Sequence, residues 1–198
     1  KPGRQCMAAA AKASRIIGLV RRNFRDLDMR DFLLIYKAYI RPHLEYCIQA
    51  WSPYLERDME VLERVQRSAT RLLSGFARYG YEDRLRKLGI TTLRKRRERG
   101  DLIEVYRIMS GREKIEKTQF FRPANNEYCL RGHSLKIRKE RSRLDIRKYS
   151  FSQRVVGSWN RLPQKVLHSS VVNPAMDVSP LLLGVSWQAI SNKSAGSS

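Results

Sequence analysis

The sequence is poor in acidic residues, and this shortage narrows the partners that the chain can have. Its 198 residues include 19 Asp and Glu and 3 His against 40 Lys and Arg, which gives a formal net charge of +21. An excess of this size builds a long-range positive field whose natural partners are polyanions. Nucleic acid is favoured over an anionic membrane surface or an acidic protein, since no segment has the two contrasting faces of a surface-lying helix.

Long hydrophobic runs and paired cysteines are also missing. No run of about 18 apolar residues occurs, so we expect no membrane span. Cys6, Cys47 and Cys129 are odd in number, far apart and not preceded by a secretory signal. They indicate reduced thiols in an intracellular compartment, the nucleus or the cytoplasm. Because the chain opens on Lys1 without an initiator methionine, we expect it to be a piece of a longer protein.

Helical spacing of apolar residues dominates the first two-thirds of the chain. One face of the first segment is predicted to carry Ile16, Ile17, Val20 and Phe24, and Asp28 is a candidate N-cap for the second. The apolar stretch after Pro42 is interpreted as a buried helix or helical turn that ends near Pro53. Helices are therefore predicted from Ala8 to about Phe24, from Met29 to Ile40, from Met59 to Leu73, from Tyr81 to Leu88, and from Leu93 to Met109.

Proline and glycine mark where these helices should end. Pro42 is expected to interrupt the second helix, and Gly75 to stop the third. Gly89 should close the fourth, with Ile90 making the hydrophobic contact that accompanies a glycine C-cap, and Gly111 should end the fifth. Thr91 or Thr92 caps the fifth helix at its start, and Leu93, Ile103, Tyr106 and Met109 are expected on its inner face.

After Gly111 the periodicity changes, and we place a subdomain boundary there. Leu135 and Ile137 alternate with basic residues, and Leu144 and Ile146 alternate with the charged residues Asp145 and Arg147, which predicts two short strands in a basic β-hairpin. Apolar residues then recur every four positions and predict a last helix from about Ser150 to Asn160. The predicted fold class is mainly α: a helical bundle over residues 1–111, a basic hairpin and helix subdomain over 112–173, and a poorly ordered, divergent tail over 174–198.

A set of motifs along the chain is specific enough to indicate a family. The longest is YKAYIRPHLEYCIQAWSPY at residues 36–54, followed by LERVQR at 62–67, LGITTL at 88–93, RGDLI at 99–103, RGHSLK at 131–136 and FSQRVV at 151–156. Together they resemble the region that follows the palm in the endonuclease and reverse transcriptase of non-LTR retrotransposons of the LINE type, in particular the jockey group. The resemblance covers roughly residues 5–173.

The resemblance implies a thumb-like, C-terminal part of an RNA-directed DNA polymerase. Its implied partners are nucleic acid (RNA, DNA or a hybrid) and the catalytic palm and fingers of the parent polymerase, which would need magnesium ions. The implied location is the nucleus. After Asn173 the family pattern continues into another basic helix, whereas this chain turns to Pro174. This departure indicates truncation, a frameshift or an alternative end.

Catalytic residues are not indicated in this chain. Polymerases hold two metal ions about 4 Å apart with paired aspartates, and no two aspartates are adjacent here. We interpret Asp28, Asp58 and Asp101 as helix caps or local ion-pair partners. We therefore expect a non-catalytic chain that has no cofactor of its own.

Metal and nucleophile motifs are equally weak. Cys129 and His133 have the spacing of zinc ligands, but the remaining cysteines and histidines form no second close pair, so a loop Cys and His are favoured. His43 and Cys47 would share a helix face, and a buried pair in an apolar segment is favoured over a nucleophilic one.

Two basic clusters are the candidate nucleic-acid-binding sites. The first occupies the start of a helix, where cations cost about 0.3–1 kcal/mol each because the helix dipole is positive there. The second would follow the outward face of the hairpin, with His133 and Tyr149 as candidates for stacking on bases, and a structural role for Tyr149 stays open as the alternative. The candidate residues are Arg94, Lys95, Arg96, Arg97 and Arg99 in the first cluster, and Arg131, Lys136, Arg138, Lys139, Arg141, Arg143, Arg147, Lys148 and Arg154 in the second.

Alternatives to nucleic-acid binding stay open at this point. Either cluster is also compatible with a merely solvated basic surface. The aromatic-rich segment from Tyr36 to Tyr54 favours a docking or self-association module, and a decayed retroelement remnant without function is the third possibility. No sequence-reading motif is present, so binding is expected to follow backbone and helix shape.

Overall fold

The computed structural model describes residues 2–124, 133–164 and 167, and these residues form helices joined by turns and short extended segments. The predicted mainly α class is confirmed, while the tail over 174–198 lies outside the described residues. A π-helical turn (Tyr36–Ile40) and two 3-10 turns (Phe76–Arg78 and Lys117–Gln119) accompany the α-helices. The α-helices are α1 (Pro2–Asn23), α2 (Met29–Ile35), α3 (Arg41–Glu45), α4 (Glu56–Ala69), α5 (Tyr81–Leu88), α6 (Leu93–Met109), α7 (Asp145–Lys148) and α8 (Phe151–Asn160).

Helix α1 packs across α4 through a face of mostly small residues. It starts at Pro2, earlier than predicted, since proline suits the first turn of a helix and Cys6 and Ala9 continue the buried face toward the N-terminus. Phe24, expected on the apolar face, follows the last residue of α1 and is 50% exposed. The buried residues of α1 are Cys6, Ala9, Ala10, Ala13, Ile17 and Val20.

The segment from α2 to α3 stays helical through Pro42. Asp28 caps α2 as predicted, since its side chain accepts a hydrogen bond from the Asp31 backbone N–H at 2.6 Å. Proline lacks the N–H that a continuing helix needs, and the chain adapts by a π-helical turn in which the Arg41 N–H donates to the Tyr36 carbonyl. Pro42 then lies in the first turn of α3, so it shifts the helical register rather than ending the helix.

Glycine caps close α5 and α6 as predicted. Gly89 has a φ of 62°, and the Ile90 N–H donates to the Leu85 carbonyl at 3.1 Å, which satisfies a carbonyl of the last turn. Thr92 caps α6, and Gly111 follows it with a φ of 71°. Gly75 also has a positive φ, of 74°, but α4 already ends at Ala69, before it.

Two hydrophobic clusters form the core, and α6 contributes to both. Leu93 packs in the first cluster with α1 to α5. Val105 and Ile108 pack in the second with Trp159 and other residues of α8. The inner face of α6 therefore carries Val105 and Ile108, whereas the predicted Ile103, Tyr106 and Met109 are half-buried. The subdomain boundary after Gly111 stays a prediction.

The basic β-hairpin predicted over residues 135–147 is wrong. The described residues contain no strand there: Ile137 makes an isolated antiparallel bridge to Pro123, and residues 145–148 form α7. Asn160 binds both backbone groups of Ile137, accepting from its N–H at 3.0 Å and donating to its carbonyl at 2.8 Å, where a partner strand would do so. Leu144 and Ile146 are 69% and 76% exposed, so the second predicted strand has no buried face.

None of the described helices combines the length and the apolar content that crossing a bilayer demands.

Two glycine-to-alanine changes test the backbone assignments in opposite directions. Gly89→Ala should lower the free energy of unfolding by about 1 kcal/mol because L side chains disfavour positive φ. Gly157 lies inside α8, and a Cβ added there meets no atom within 4 Å. Gly157→Ala should therefore raise the free energy of unfolding by about 0.5–1 kcal/mol. Urea unfolding followed by circular dichroism measures both. Changes of the same sign would contradict the assigned conformations.

Candidate nucleic-acid interface

The first basic cluster lies on the first turns of α6, where carboxylates from α3 and α4 surround it. Arg96 donates from Nε and Nη2 to the Glu45 carboxylate, the second bond measuring 3.0 Å. Arg94 donates from Nη2 alone to the Glu56 carboxylate. Of the remaining predicted side chains, Lys95 is exposed, whereas Arg99 is half-buried and has an interaction partner.

A third carboxylate, that of Glu63 on α4, supports the start of α6 directly. It accepts from the Arg94 backbone N–H at 3.3 Å and from the Tyr81 hydroxyl at 2.6 Å. Burial, followed by the bond to Glu63, raises the pKa of Tyr81. The unfavourable placement of cations at this N-terminus is therefore offset by neighbouring acids. A functional demand for positive charge is not needed to explain the cluster.

Arg97 is not available to a ligand on the surface. Its side chain is 2% exposed, its Nη2 donates to the Leu44 carbonyl at 2.5 Å, and its guanidinium lies 4.8 Å from the centre of the Trp51 ring. Burial lowers its pKa. The prediction that Arg97 contacts nucleic acid is wrong, because the four-residue spacing from Leu93 places it on the buried face of α6.

Arg154 is also held inside the molecule. Its Nε and Nη2 donate to the two carboxylate oxygens of Asp101 at 2.8 and 2.9 Å, and Nη2 donates to the Ile48 carbonyl at 3.0 Å. Burial raises the pKa of Asp101, and the Arg154 guanidinium opposes that rise. Asp101 is therefore a long-range ion-pair partner rather than a cap or local partner, and Arg154 is a structural residue rather than a phosphate contact.

A cleft of about 210 Å³ lies beside this ion pair. Its lining includes Arg94, Arg97, Asp101 and Arg154, whose charged groups already bind one another or neighbouring protein groups. We therefore interpret this cleft as part of the packing between α6 and α8.

The second basic cluster remains exposed over residues 138–148, which we call the basic surface. Its two acidic residues are Glu140 and Asp145. Arg147 donates to Glu140 at 3.2 Å, and Arg122 approaches the same carboxylate at 3.2 Å. Lys136 is half-buried and has an interaction partner, and Arg131 lies outside the described residues. The exposed cations of the basic surface are Arg138, Lys139, Arg141, Arg143, Arg147 and Lys148.

The two aromatic residues predicted to stack on bases have structural contacts. His133 is 2% exposed, with Nε2 placed 2.9 Å from the Trp159 carbonyl, so its prediction as a stacking residue is wrong. Tyr149 stacks on Tyr54 with ring centres 4.7 Å apart, which favours its structural alternative. Phe120, at 41% exposure, lies beside the basic surface.

A second cleft, of about 200 Å³, joins Phe120 and Arg122 to the basic surface. Sequence reasoning missed both residues, because they precede the basic surface by more than fifteen positions and show no periodicity. The only signal for them was the run of basic and aromatic residues before Pro123. Arg138, Glu140 and Arg147 line the opposite part of the same cleft.

Cysteine and histidine chemistry is limited in this geometry. Within residues 2–124, 133–164 and 167, no three His, Cys, Asp or Glu side chains come together as metal ligands would. Cys129 and His168 lie outside those ranges. The predicted buried pair is wrong, since His43 and Cys47 are both exposed and Cys47 lies in a turn with a φ of 53°. Burial raises the pKa of Cys6 to about 11, which keeps this thiol protonated.

Comparison of the chain with protein-family models, with curated proteins and with solved structures returns no match. The resemblance to retrotransposon reverse transcriptases therefore stays a prediction from the sequence motifs.

The structural assignment of Arg154 is tested by its contribution to stability. Arg154→Met should lower the free energy of unfolding by about 3–5 kcal/mol, because Asp101 loses its partner inside the protein. Adding Asp101→Leu should recover most of that loss, since no charge is then left unpaired. Arg143→Met, at an exposed position, should change stability by less than about 0.5 kcal/mol. Equal effects of Arg154→Met and Arg143→Met in urea unfolding would refute the assignment.

Proposed function

We propose that this chain binds nucleic acid through the sugar-phosphate backbone and that the basic surface makes the contacts. The observation that carries the proposal is the contrast between the predicted cations that the protein itself binds and those of the basic surface. Arg96, Arg97 and Arg154 bind protein groups, whereas six cations of the basic surface stay exposed beside two acidic residues. Exposed Lys and Arg side chains that are not neutralised by the protein are available to phosphates.

Binding of this kind is independent of base sequence. Contacts to phosphate and sugar position a protein on a strand but carry no base information. The helix within the basic surface, α7, has four residues and is too short to act as a recognition helix in a major groove. Affinity should then come from release of counterions and should fall steeply with salt.

We further propose that the chain is the thumb-like part of a reverse transcriptase from a non-LTR retrotransposon. The motif at residues 36–54 and the mainly helical architecture support this role. In this role the chain has no catalytic activity of its own, and the palm and fingers of the parent polymerase would supply the aspartates and magnesium ions. The nucleic acid would be template and primer (RNA, DNA or a hybrid), and the parent would work in the nucleus.

The proposal predicts a salt-dependent affinity that depends on the basic surface. Binding is measured by fluorescence anisotropy with an RNA-DNA hybrid, duplex DNA and single-stranded RNA, from about 50 to about 300 mM salt. A plot of log K against log salt concentration should have a negative slope of about 0.7–0.9 per phosphate contacted. Changing Arg138, Lys139, Arg141 and Arg143 to Gln should reduce that slope by about 3 and weaken binding to all three probes.

A matched variant controls for net charge. Changing Lys12, Arg15, Arg21 and Arg22 to Gln removes the same charge from exposed positions of α1. It should leave the slope close to that of the unmodified chain. Equal losses in both variants would refute the basic surface as the binding site, and weak binding that ignores salt would refute nucleic-acid binding itself.

Docking to a protein is the second candidate function, and one observation favours it. Leu34, Tyr39 and Tyr46 are 68%, 62% and 75% exposed within or directly after the helical segment that runs from α2 to α3. Exposed apolar side chains of this size mark interaction surfaces when they lie together. In the proposed parent polymerase, the palm is the partner that would cover them.

Association of the isolated chain tests this second function. If these exposed side chains form an interaction surface, sedimentation velocity over a range of protein concentrations, after nuclease treatment, should show self-association. Leu34→Gln combined with Tyr39→Gln should then reduce the association, since both positions are exposed and their loss leaves the core intact. A monomer at all concentrations would count against self-association.

A further inference from the structure

The polar cleft beside the basic surface holds two guanidinium groups against one carboxylate, and a third arginine lines it. Arg122 approaches the Glu140 carboxylate at 3.2 Å and Arg147 donates to it at 3.2 Å. Arg138 lines the same cleft, and its guanidinium makes no ion pair or hydrogen bond with the part of the chain that the structure describes. The three cations exceed Glu140 by two charges. Guanidinium groups bind phosphate oxygens in paired hydrogen bonds, so a phosphate suits this excess.

The first turn of α8 adds to the positive character of the cleft. Ser150 and Ser152 line it. The Ser150 hydroxyl does not cap α8, because it donates to the Arg147 carbonyl at 2.7 Å. The unpaired N–H groups of a first helical turn carry partial positive charge, which assists the arginines in binding an anion.

Phe120 lies at the edge of this cleft, whose own surface is almost entirely polar, and exposes part of its ring there. The ring lies edge to face with Phe151, at 6.4 Å between centres and 74° between planes, and it also contacts Phe121. Phe121 and Phe151 are buried, so they hold Phe120 in place while 41% of it stays exposed. An aromatic ring next to phosphate-binding cations is the arrangement on which unpaired bases stack.

We propose that this cleft binds one nucleotide of a single strand, with its phosphate on Arg122, Arg138 and Arg147 and its unpaired base on Phe120. The inference rests on the proposed nucleic-acid binding and adds a preference for unpaired strands. The volume of about 200 Å³ is below the roughly 300 Å³ at which pockets for whole small molecules begin. The cleft therefore suits a unit of a chain rather than a free cofactor.

Substitution of Phe120 separates stacking from charge. The probes are fluorescein-labelled oligouridylate and oligodeoxythymidylate of about 12 nucleotides, which is within the usual site sizes, and a duplex of the same length. Phe120→Leu should weaken single-strand binding about ten-fold and leave duplex binding and the salt slope unchanged, because stacking neutralises no phosphate. Arg138→Gln should instead weaken both and lower the salt slope by about one.

The controls distinguish a local effect from a loss of structure. Phe24→Leu changes another aromatic residue, 50% exposed at the end of α1, and should bind like the unmodified chain. Thermal unfolding checks that Phe120→Leu stays folded. The inference is overturned if Phe120→Leu binds single strands as tightly as the wild-type chain, or if it loses as much affinity for the duplex. In either case, wild-type binding would still support the proposed function. Failure of the wild-type chain to bind any probe overturns both. The two single-stranded probes show whether the strand is RNA or DNA.

Discussion

The ion pair between Arg154 and Asp101 links parts of the chain that are distant in sequence. Arg154 on α8 also binds the Ile48 carbonyl after α3, while Asp101 lies between the two hydrophobic clusters along α6. Hydrophobic contacts are not directional, so they alone do not fix the orientation of one cluster relative to the other. A guanidinium with three directed hydrogen bonds to these groups defines the angle at which α8 packs on α6, and with it the position of the cleft beside the first turn of α8.

The same network decides which cations the surface can offer. Taking an arginine out of water is costly unless acceptors inside the protein replace the solvent. Arg97 has a carbonyl and the Trp51 ring as substitutes, and Arg96 has Glu45. The carboxylates of Glu45, Glu56 and Glu63, on α3 and α4, all bind groups of α6. Residues 138–148 have two acids beside six exposed cations, so this segment keeps an excess of positive charge at the surface.

Local chemistry made part of this structure predictable. The Asp28 cap, the glycine cap at Gly89 and the threonine cap of α6 each depend on residues within one helical turn. The first two were predicted from the sequence, and the third was predicted as either Thr91 or Thr92. The predicted hairpin was wrong because the backbone N–H and carbonyl of Ile137 bind the side chain of Asn160, which is distant in sequence, instead of a second strand. The burial of Arg97 was missed although it lies four residues after Leu93, because only the fold supplies the Leu44 carbonyl to which its side chain donates.

The basic surface and the adjoining cleft would bind different states of a nucleic acid. Phosphate contacts on the surface accept duplex and single strand alike and weaken with salt. Stacking on Phe120 needs an unpaired base and is insensitive to salt, so it contributes only where strands are separated. A polymerase works at the junction between a duplex and an unpaired template, where both kinds of contact are available at once. A thumb-like chain with both would favour that junction over continuous duplex without reading any base sequence.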